Sequence, residues 1–358
     1  MHCIIMAGGA GTRFWPASRK SLPKQFLNIT GQGPMVVETC RRLAPLAEDA
    51  ELTLVISREH EQETRRLFAG RAVHLLSEPV GRNTAPCIGL GALHAVAQGA
   101  DGPVAFLPAD QFISDVDAFL QALRQAQSLA RSGAIVTLGI VPDRPETGYG
   151  YIRREGAKIE AGGPPAYRVG AFVEKPDIGT ARGYLAQGNY LWNAGIFVAT
   201  AETILDQIRL HLPDLHRGLE RLRPLMATAG FAAELEALYG EIAPVSFDYG
   251  VMEKTQHPLL VVPCACGWSD VGSWRALYDM RGEERDAAGN LAEGDSLLIG
   301  CGQSLVAAQS GRLVACLGLK NILVVDTPDA LLVADLGQSQ EIRKIIEALR
   351  RAGREELL

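Results

Sequence analysis

Gly8, Gly9 and Gly11 fall within four residues, straight after the short apolar run His2-Cys3-Ile4-Ile5-Met6, and Arg13, Arg19, Lys20 and Lys24 follow within twelve. Backbone N–H groups freed at a glycine-rich turn can face an anion. Glycine also lets the backbone come close to a phosphate where a Cβ would clash. Four cations spaced along residues 13–24, with Pro16 and Pro23 between them, suit a polyphosphate better than a single phosphate. Two familiar phosphate loops do not fit. A Walker A loop needs G-x-x-x-x-G-K-[ST], and no GK[ST] occurs in the chain. A dinucleotide fingerprint needs G-x-G-x-x-G, and Phe14 stands where its third glycine belongs. The plain alternative is a strand and turn with basic surface residues.

Further candidates sit at the ends of apolar runs. Glu78-Pro79 and Gly81-Arg82-Asn83-Thr84-Ala85-Pro86 follow Val73–Leu76, with Thr84 opening a helix. A capped turn is the simple reading there. Asp110 follows Leu107-Pro108-Ala109, where a carboxylate can reach a hard cation held between phosphates or merely cap a turn. Gly148 lies in Thr147-Gly148-Tyr149-Gly150-Tyr151-Ile152, Glu174 and Lys175 close the run 167–173, and Asn193 lies in Trp192–Phe197. Aromatic and glycine residues together are also common wherever a sheet curves. Asp248 lies in Ser246–Lys254, and Asp270 in Gly267-Trp268-Ser269-Asp270-Val271-Gly272-Ser273-Trp274. A solvated acidic and basic turn is the alternative for Asp248 and Lys254. Asp110 and Asp270 are 160 positions apart, so the fold must bring them to one place if they act together.

The elements that must position these residues alternate. Strands are expected at Cys3–Met6, Leu52–Ile56, Val73–Leu76, Val104–Leu107 and Ile135–Ile140, short apolar runs without alternation, as in strands covered on both faces. Helices are expected at Met35–Leu43, Glu59–Phe68, Thr84–Gln98 and Asp117–Ala130. The order predicts an α/β fold, a Rossmann-like, doubly wound and mostly parallel sheet with ligands beyond the carboxyl ends of its strands. A strand at Leu259–Pro263 and a helix at Ala201–Leu212 follow later. After about residue 285, β-prone runs at Ser296–Ile299, Leu305–Ala307, Leu313–Cys316, Ile322–Val325 and Leu331–Val333 recur every eight to ten residues before a closing helix, Glu341–Arg351. They predict a small all-β module resembling a short β-helix. The expected domains are residues 1–285 and 286–358. An exposed β module can pair between subunits, so a homodimer is expected.

With 358 residues, 47% apolar and 21% charged, the composition is that of an ordinary globular protein. No apolar run reaches eighteen residues, so no membrane-spanning helix is expected, and the N-terminus lacks the basic region and cleavage site of a signal peptide. Seven scattered cysteines favour reduced buried thiols in the cytoplasm over a disulfide framework, and Cys264-x-Cys266, without a second pair, favours packing over zinc. A net charge of −6 argues against nucleic acid as a partner.

The stretch from Gly8 to Phe26, GGxGxRxWPxSRxxxPKQF, closely resembles the motif of the sugar-1-phosphate nucleotidyltransferases, and its Trp-Pro and Pro-Lys-Gln-Phe details resemble the mannose-1-phosphate guanylyltransferase branch. The later motifs, in order, are similar to the same family: EPxGRNTAP, PAD, GYGYI, EKP, WNAGIF, S-x-D-Y-x-x-x-E-K and WxDxGSW. The resemblance implies GMP transfer from GTP to α-D-mannose 1-phosphate. It implies that Gly8, Gly9, Gly11 and Thr12 form the nucleotide loop, with Arg13 on the β- and γ-phosphates and Lys24 near the α-phosphate. Glu78, Asn83 and Thr84 would meet the base. Gly148, Glu174, Asn193 and Asp248 would meet the sugar, and Lys175 its phosphate. Asp110 and Asp270 would hold Mg²⁺, placing Asp110 in the nucleotide site too. Gln111 stands where the branch generally has His, which removes a titratable ring beside the metal. Longer, bifunctional relatives carry a C-terminal isomerase domain, for which this chain is too short. Glucose-1-phosphate uridylyl- or thymidylyltransferases share the loop but lack the combined FWPxSR and RNTAP features. A non-catalytic regulatory homologue would be expected to have lost a phosphate or metal residue, and a nicotinamide oxidoreductase would need the missing glycine.

Overall fold

The computed structural model describes residues 1–9, 11–160 and 162–358, so Ala10, inside the glycine-rich stretch, and Ala161 lie outside the described residues. The chain divides into two compact units. The first comprises Met1–Gly8, Thr39–Ala109 and Ile113–Trp268; the second comprises Gly9–Glu38, Asp110–Phe112 and Ser269–Leu358.

The first unit is built on strands β1 (Cys3–Ala7), β2 (Leu52–Ser57), β3 (His74–Glu78) and β4 (Pro103–Pro108). After the two-residue strand β5 (Phe112–Ile113) come β6 (Ile135–Ile140), β7 (Gly150–Ile159), β8 (Ala166–Glu174), β9 (Tyr190–Thr200) and β10 (Leu259–Pro263). Among the described residues nine of these make one sheet in the order β3-β2-β1-β4-β9-β6-β10-β8-β7. The block β3-β2-β1-β4 is parallel, as is β6 with β10, and only β9 and β8 run against the rest. Ile4, Ile5, Leu54, Val55, Ala105 and Phe106 are fully buried, which is why these runs are apolar at consecutive positions rather than alternating. Strand order reverses between β1 and β4, the position at which open α/β sheets hold ligands. The glycine-rich stretch leaves β1, and Asp110 follows β4, so the two candidate segments leave neighbouring strands.

The helix Thr84–Ala97 is apolar nearly all round, with eleven buried residues, because it packs on β1, β2 and β4 and is covered by the helix Ala201–His211. Gly91 admits Ile4 so closely that a Cβ would lie 2.4 Å from its Cγ2. The same helix carries His94, 8% exposed, against His74 of β3 with ring centroids 5.1 Å apart. No partner among the described residues meets its Nε2. Burial, with His74 and His2 adding to it, pushes the imidazole down to about 4 from an ordinary 6.5. A base held neutral this way stabilises the fold fully above pH 6.5 and loses that contribution as pH falls toward 4. We therefore expect an acid limb worth roughly 3 kcal/mol between those values. Chemical denaturation of His94→Leu across the same range should show it flattened; an unchanged limb would rule His94 out as its source.

From Ser269, the second residue of β11 (Trp268–Ser269), the second unit runs through the helix Trp274–Met280 into β12 (Leu291–Glu293), β13 (Ser296–Ile299), β14 (Leu305–Ala308), β15 (Val314–Leu317), β16 (Ile322–Asp326) and β17 (Leu331–Asp335). β12, β14 and β16 stack in parallel, as do β13 and β15, giving the coils of a short β-helix that β17 closes antiparallel to β16. Leu291, Leu305 and Leu323 form one buried ladder. Their side packs with Trp274, Leu277, Ile342 and Ile346, while Cys301, Val306, Cys316 and Val324 make a separate inner cluster. The β-helix expectation holds, and the closing helix spans Ile342–Arg351.

Candidate active site

The sequence-predicted residues fall into three groups, each within one unit. The first lies wholly in the second unit. Gly11 has φ 53°, and a Cβ on it would lie 2.4 Å from the backbone N of Lys24, so only glycine lets the loop close over the Pro23-Lys24-Gln25 turn. Thr12–Phe14 and Lys24–Phe26 are each one 3₁₀ turn. Gln25 Nε2 donates to Gly9 O at 2.9 Å, a second tie between turn and loop. Lys24 is only 6% exposed. Its Nζ lies 2.9 Å from Asp110 Oδ2 and also donates to the main-chain oxygen of Asp270. Thr12, Arg13, Lys24, Asp110, Gln111 and Asp270 line one cavity of about 300 Å³. The demand that Asp110 and Asp270 meet, despite their separation in sequence, is satisfied within this cavity.

Asp270 is held by a strained turn. Val271, β-branched, has φ 42°, a region such residues rarely occupy. Its N–H donates to Ser269 Oγ at 3.0 Å, and Gly272 N donates to Asp270 Oδ1 at 3.2 Å. A Cβ on Gly272 would sit 2.5 Å from Asp270 Oδ2 and 3.4 Å from Arg13, so that glycine leaves room for carboxylate and guanidinium together. Trp15 and Trp274 of the two motifs are scaffolding. Trp274 packs edge-on against Phe14 at 5.0 Å and donates to Trp15 O at 3.3 Å, while Trp15 Nε1 donates to Leu357 O at 2.8 Å.

The second group lies in the first unit, at the end of β3. The strand runs to Glu78, past the expected end at Leu76, so this carboxyl is a strand residue and 3% exposed. Its Oε1 accepts from the Tyr239 hydroxyl at 2.7 Å. Its Oε2 faces Gly8, where a Cβ would lie 2.7 Å away. Burial pushes the carboxyl up to about 7, against the opposing pull of the tyrosine hydrogen bond. Asn83 has φ 70° and caps the helix, its side chain accepting from Thr84 N. Thr84 Oγ1 accepts from Phe247 N at 2.8 Å. The side-chain oxygens of both residues thus hold backbone.

The third group, also in the first unit, gathers Glu174, Lys175, Asn193 and Asp248. Lys175 Nζ pairs with Glu174 Oε1, and its φ of 49° turns the chain at the strand end. Asn193 donates from Nδ2 to Asp248 Oδ1 at 2.9 Å and accepts at Oδ1 from Gly195 N at 3.0 Å. Burial, with Glu174 alongside, pushes the Asp248 carboxyl up to about 6. Gly148 lies in its own turn, its N–H donating to Glu146 Oε1 at 3.0 Å. The glycine that faces this group is Gly150, where a Cβ would lie 2.4 Å from Glu174 Oε2 and 3.2 Å from Asn193 Cβ. Motif reading passes over Gly150, over Glu253, whose Oε1 accepts from Glu174 N at 2.9 Å, and over Tyr239. The G-x-G spacing of GYGYI is a usable signal for the first, and the Glu of S-x-D-Y-x-x-x-E-K is one for the second; nothing local marks Tyr239.

Residues 2–286 match the model of the nucleotidyl transferase family, and residues 294–349 match that of the mannose-phosphate isomerase/GMP-like β-helix domain. The chain belongs to the nucleotidyl transferase family. It is 40% identical over 368 residues to a Vibrio cholerae protein named putative mannose-1-phosphate guanylyltransferase, covering 99% of this chain and 75% of that one. It is 39% identical over 365 residues to the Escherichia coli K12 mannose-1-phosphate guanylyltransferase, with the same coverage. A crystal structure from Thermus thermophilus, described as a mannose-1-phosphate geranyltransferase, superposes with a TM-score of 0.86 at 35% identity over 98% of this chain and 99% of that one. Within its family the chain thus falls in the mannose-1-phosphate guanylyltransferase branch.

Proposed function

We propose that this chain transfers GMP from GTP to α-D-mannose 1-phosphate, giving GDP-mannose and pyrophosphate. The observation that carries the reading is the cavity in which Lys24 is buried between Asp110 and Asp270, and which Arg13 also lines. It concentrates positive charge and two carboxylates in a protein of net charge −6. A phosphate oxygen of mannose 1-phosphate, already ionised at neutral pH, attacks the α-phosphorus; the bond from that phosphorus to the β-phosphate oxygen breaks, and pyrophosphate leaves. No proton must move and no protein nucleophile is needed, so the enzyme's task is positioning and charge stabilisation.

Lys24 neutralises charge at the α-phosphate. Arg13, with the backbone of Gly8, Gly9, Gly11 and Thr12, holds the β- and γ-phosphates. Lys175 turns from Glu174 to the sugar phosphate, and Glu174, Asn193 and Asp248 receive sugar hydroxyls, with backbone offered by the turn of Gly148, from which Gly150 rather than Gly148 faces the group. Glu78, Asn83 and Thr84 form the base side. The donor set of Asp110 and Asp270, two hard carboxylates lining one cavity, fits Mg²⁺, which usually takes one or two carboxylates and completes its shell with phosphate and water. Bound there, the metal supplies charge neutralisation between the phosphates.

The reading extends to a domain division near residue 285, a cytoplasmic site of action and a homodimer. No helix among the described residues is long and apolar enough to cross a membrane. Leu297 and Ile299 of β13 and Leu317 of β15 are 48%, 54% and 75% exposed and support pairing through the β module. Sedimentation of a monomer at micromolar concentration would remove the dimer.

The test is pyrophosphate release with Mg²⁺, pairing mannose 1-phosphate or glucose 1-phosphate with GTP, UTP, dTTP or ATP. GTP with mannose 1-phosphate should be preferred; another pair would keep the phosphate chemistry and discard the base and sugar assignments. Glu174→Gln should raise the KM for mannose 1-phosphate about tenfold and leave that for GTP in place. A defect confined to GTP would move Glu174 to the nucleotide side.

A further inference from the structure

We infer that Tyr239 is a positioning residue for nucleobase specificity: its hydroxyl fixes the plane of the Glu78 carboxylate so that both oxygens can meet the two adjacent donors of guanine. The inference rests on the proposed function for the identity of the base, and it concerns a residue outside every recognised motif.

The geometry comes first. Tyr239 lies on the helix Phe231–Glu241, 1% exposed, and spends its hydroxyl on Glu78. Its main-chain oxygen accepts from Arg82 Nε at 2.8 Å. One residue thus grips both arms of the Glu78–Pro86 segment. The chain that follows adds three ties to that segment. Val245 N donates to Arg82 O at 3.1 Å, Ala85 N donates to Val245 O at 3.1 Å, and Phe247 N donates to Thr84 Oγ1 at 2.8 Å. Residues 239–247 therefore form a strap that holds the segment.

The chemistry of Glu78 gives the strap a purpose. Burying a carboxyl is costly unless hydrogen bonds replace its water. Tyr239 satisfies Oε1, yet no donor among the described residues meets Oε2, which lies over the bare Cα of Gly8. A core designed only for stability would have an apolar residue here. Each oxygen of an ionised carboxylate accepts more than one hydrogen bond, so Oε1 keeps a lone pair beside the tyrosine bond, Oε2 has both of its own, and the oriented group is a receptor for paired N–H groups. Guanine offers N1–H and the C2 amino group side by side; hypoxanthine lacks the amino group, and adenine has neither donor in that place. With its hydroxyl partner removed, the carboxylate turns about its Cγ–Cδ bond and keeps at best one of the two bonds. Apart from Tyr239, the ionisable group facing Glu78 is the buried thiol of Cys87 on the helix Thr84–Ala97. Losing the hydroxyl therefore raises the pH at which the carboxyl ionises, because Tyr239 is the donor that favours its charged form.

The experiment is calorimetric titration of the full chain with GTP and ITP in the presence of Mg²⁺, for wild type, Tyr239→Phe and Glu78→Gln, repeated between pH 6 and 8.5. Wild type should bind GTP more tightly than ITP. Tyr239→Phe should weaken GTP about tenfold and ITP much less, from loss of a hydrogen bond to a charged group. The pH midpoint of GTP binding should move up in Tyr239→Phe and vanish in Glu78→Gln. An unchanged GTP-to-ITP ratio in Tyr239→Phe, whether or not its stability falls, overturns the inference, as does a wild type that does not discriminate the two. Turnover with mannose 1-phosphate is measured separately, so a failure of the proposed reaction and a failure of base positioning give different results.

Discussion

Lys24→Met should release pyrophosphate at least ~10²-fold more slowly than wild type, the loss expected when one preorganised contact worth about 3 kcal/mol to the transition state is removed. The fold should survive the change. Methionine matches the length of the lysine stem and suits a site only 6% exposed. The partner left behind, Asp110, has a side chain 39% exposed, so water can replace the ammonium. Breaking a fully buried pair would instead strand a charge and cost several kcal/mol. Lys24→Arg should not rescue turnover. The guanidinium is a broad planar fork, whereas the cavity receives a compact ammonium between a carboxylate and a main-chain oxygen. Single-turnover measurement with saturating GTP and mannose 1-phosphate separates this effect from substrate binding. A rate within threefold of wild type for Lys24→Met would remove Lys24 from the catalytic centre.

The sequence already points to Lys24 because it closes the run of cations that follows three glycines and stands at the lysine of the Pro-Lys-Gln-Phe motif that the chain shares with its family. The parallel strands are legible for a related reason. A strand covered on both faces must be apolar at consecutive positions, and Cys3–Ala7, Leu52–Ser57 and Ile135–Ile140 are such runs. The insertion of β9 between β4 and β6 is not legible, since pairing between Val104 and Ala199 is set by the whole sheet. The helices Pro213–Leu222 and Phe231–Glu241 are absent from the sequence expectations, although Leu215, Leu219 and Leu222 repeat at helical spacing and are buried. That omission hides Tyr239, since its partner Glu78 lies 161 positions away. Local chemistry thus names the groups that would touch substrate, while the residues that orient them come from distant elements and appear only in the folded chain. The left-handed backbone at Lys175 and Val271 belongs to the same class, because nothing in those residue types announces it, whereas Asn83 is of a type that tolerates positive φ.

Asp270→Asn should lower turnover by at least ~10²-fold, again about 3 kcal/mol of electrostatic support, and it isolates charge from shape. Asparagine keeps the oxygen that accepts from Gly272 N, so the turn that holds Val271 at φ 42° retains its tie. Lys24 reaches Asp270 through the main-chain oxygen, so its anchor is also preserved. What disappears is one negative charge from a cavity that otherwise presents Asp110, already paired with Lys24. A divalent cation should then bind more weakly, and binding of Mn²⁺ followed by electron paramagnetic resonance should show this with GTP present and no sugar phosphate. Asp110→Asn makes the contrasting case. It removes a carboxylate and also unpairs Lys24, so its loss should include a fall in thermal midpoint that Asp270→Asn lacks. If Asp270→Asn binds Mn²⁺ as wild type does and keeps its turnover, the strained turn has another role and the metal assignment fails. If both measures fall together while stability holds, the unfavourable backbone of Val271 is the cost of aiming one carboxylate into the phosphate cavity.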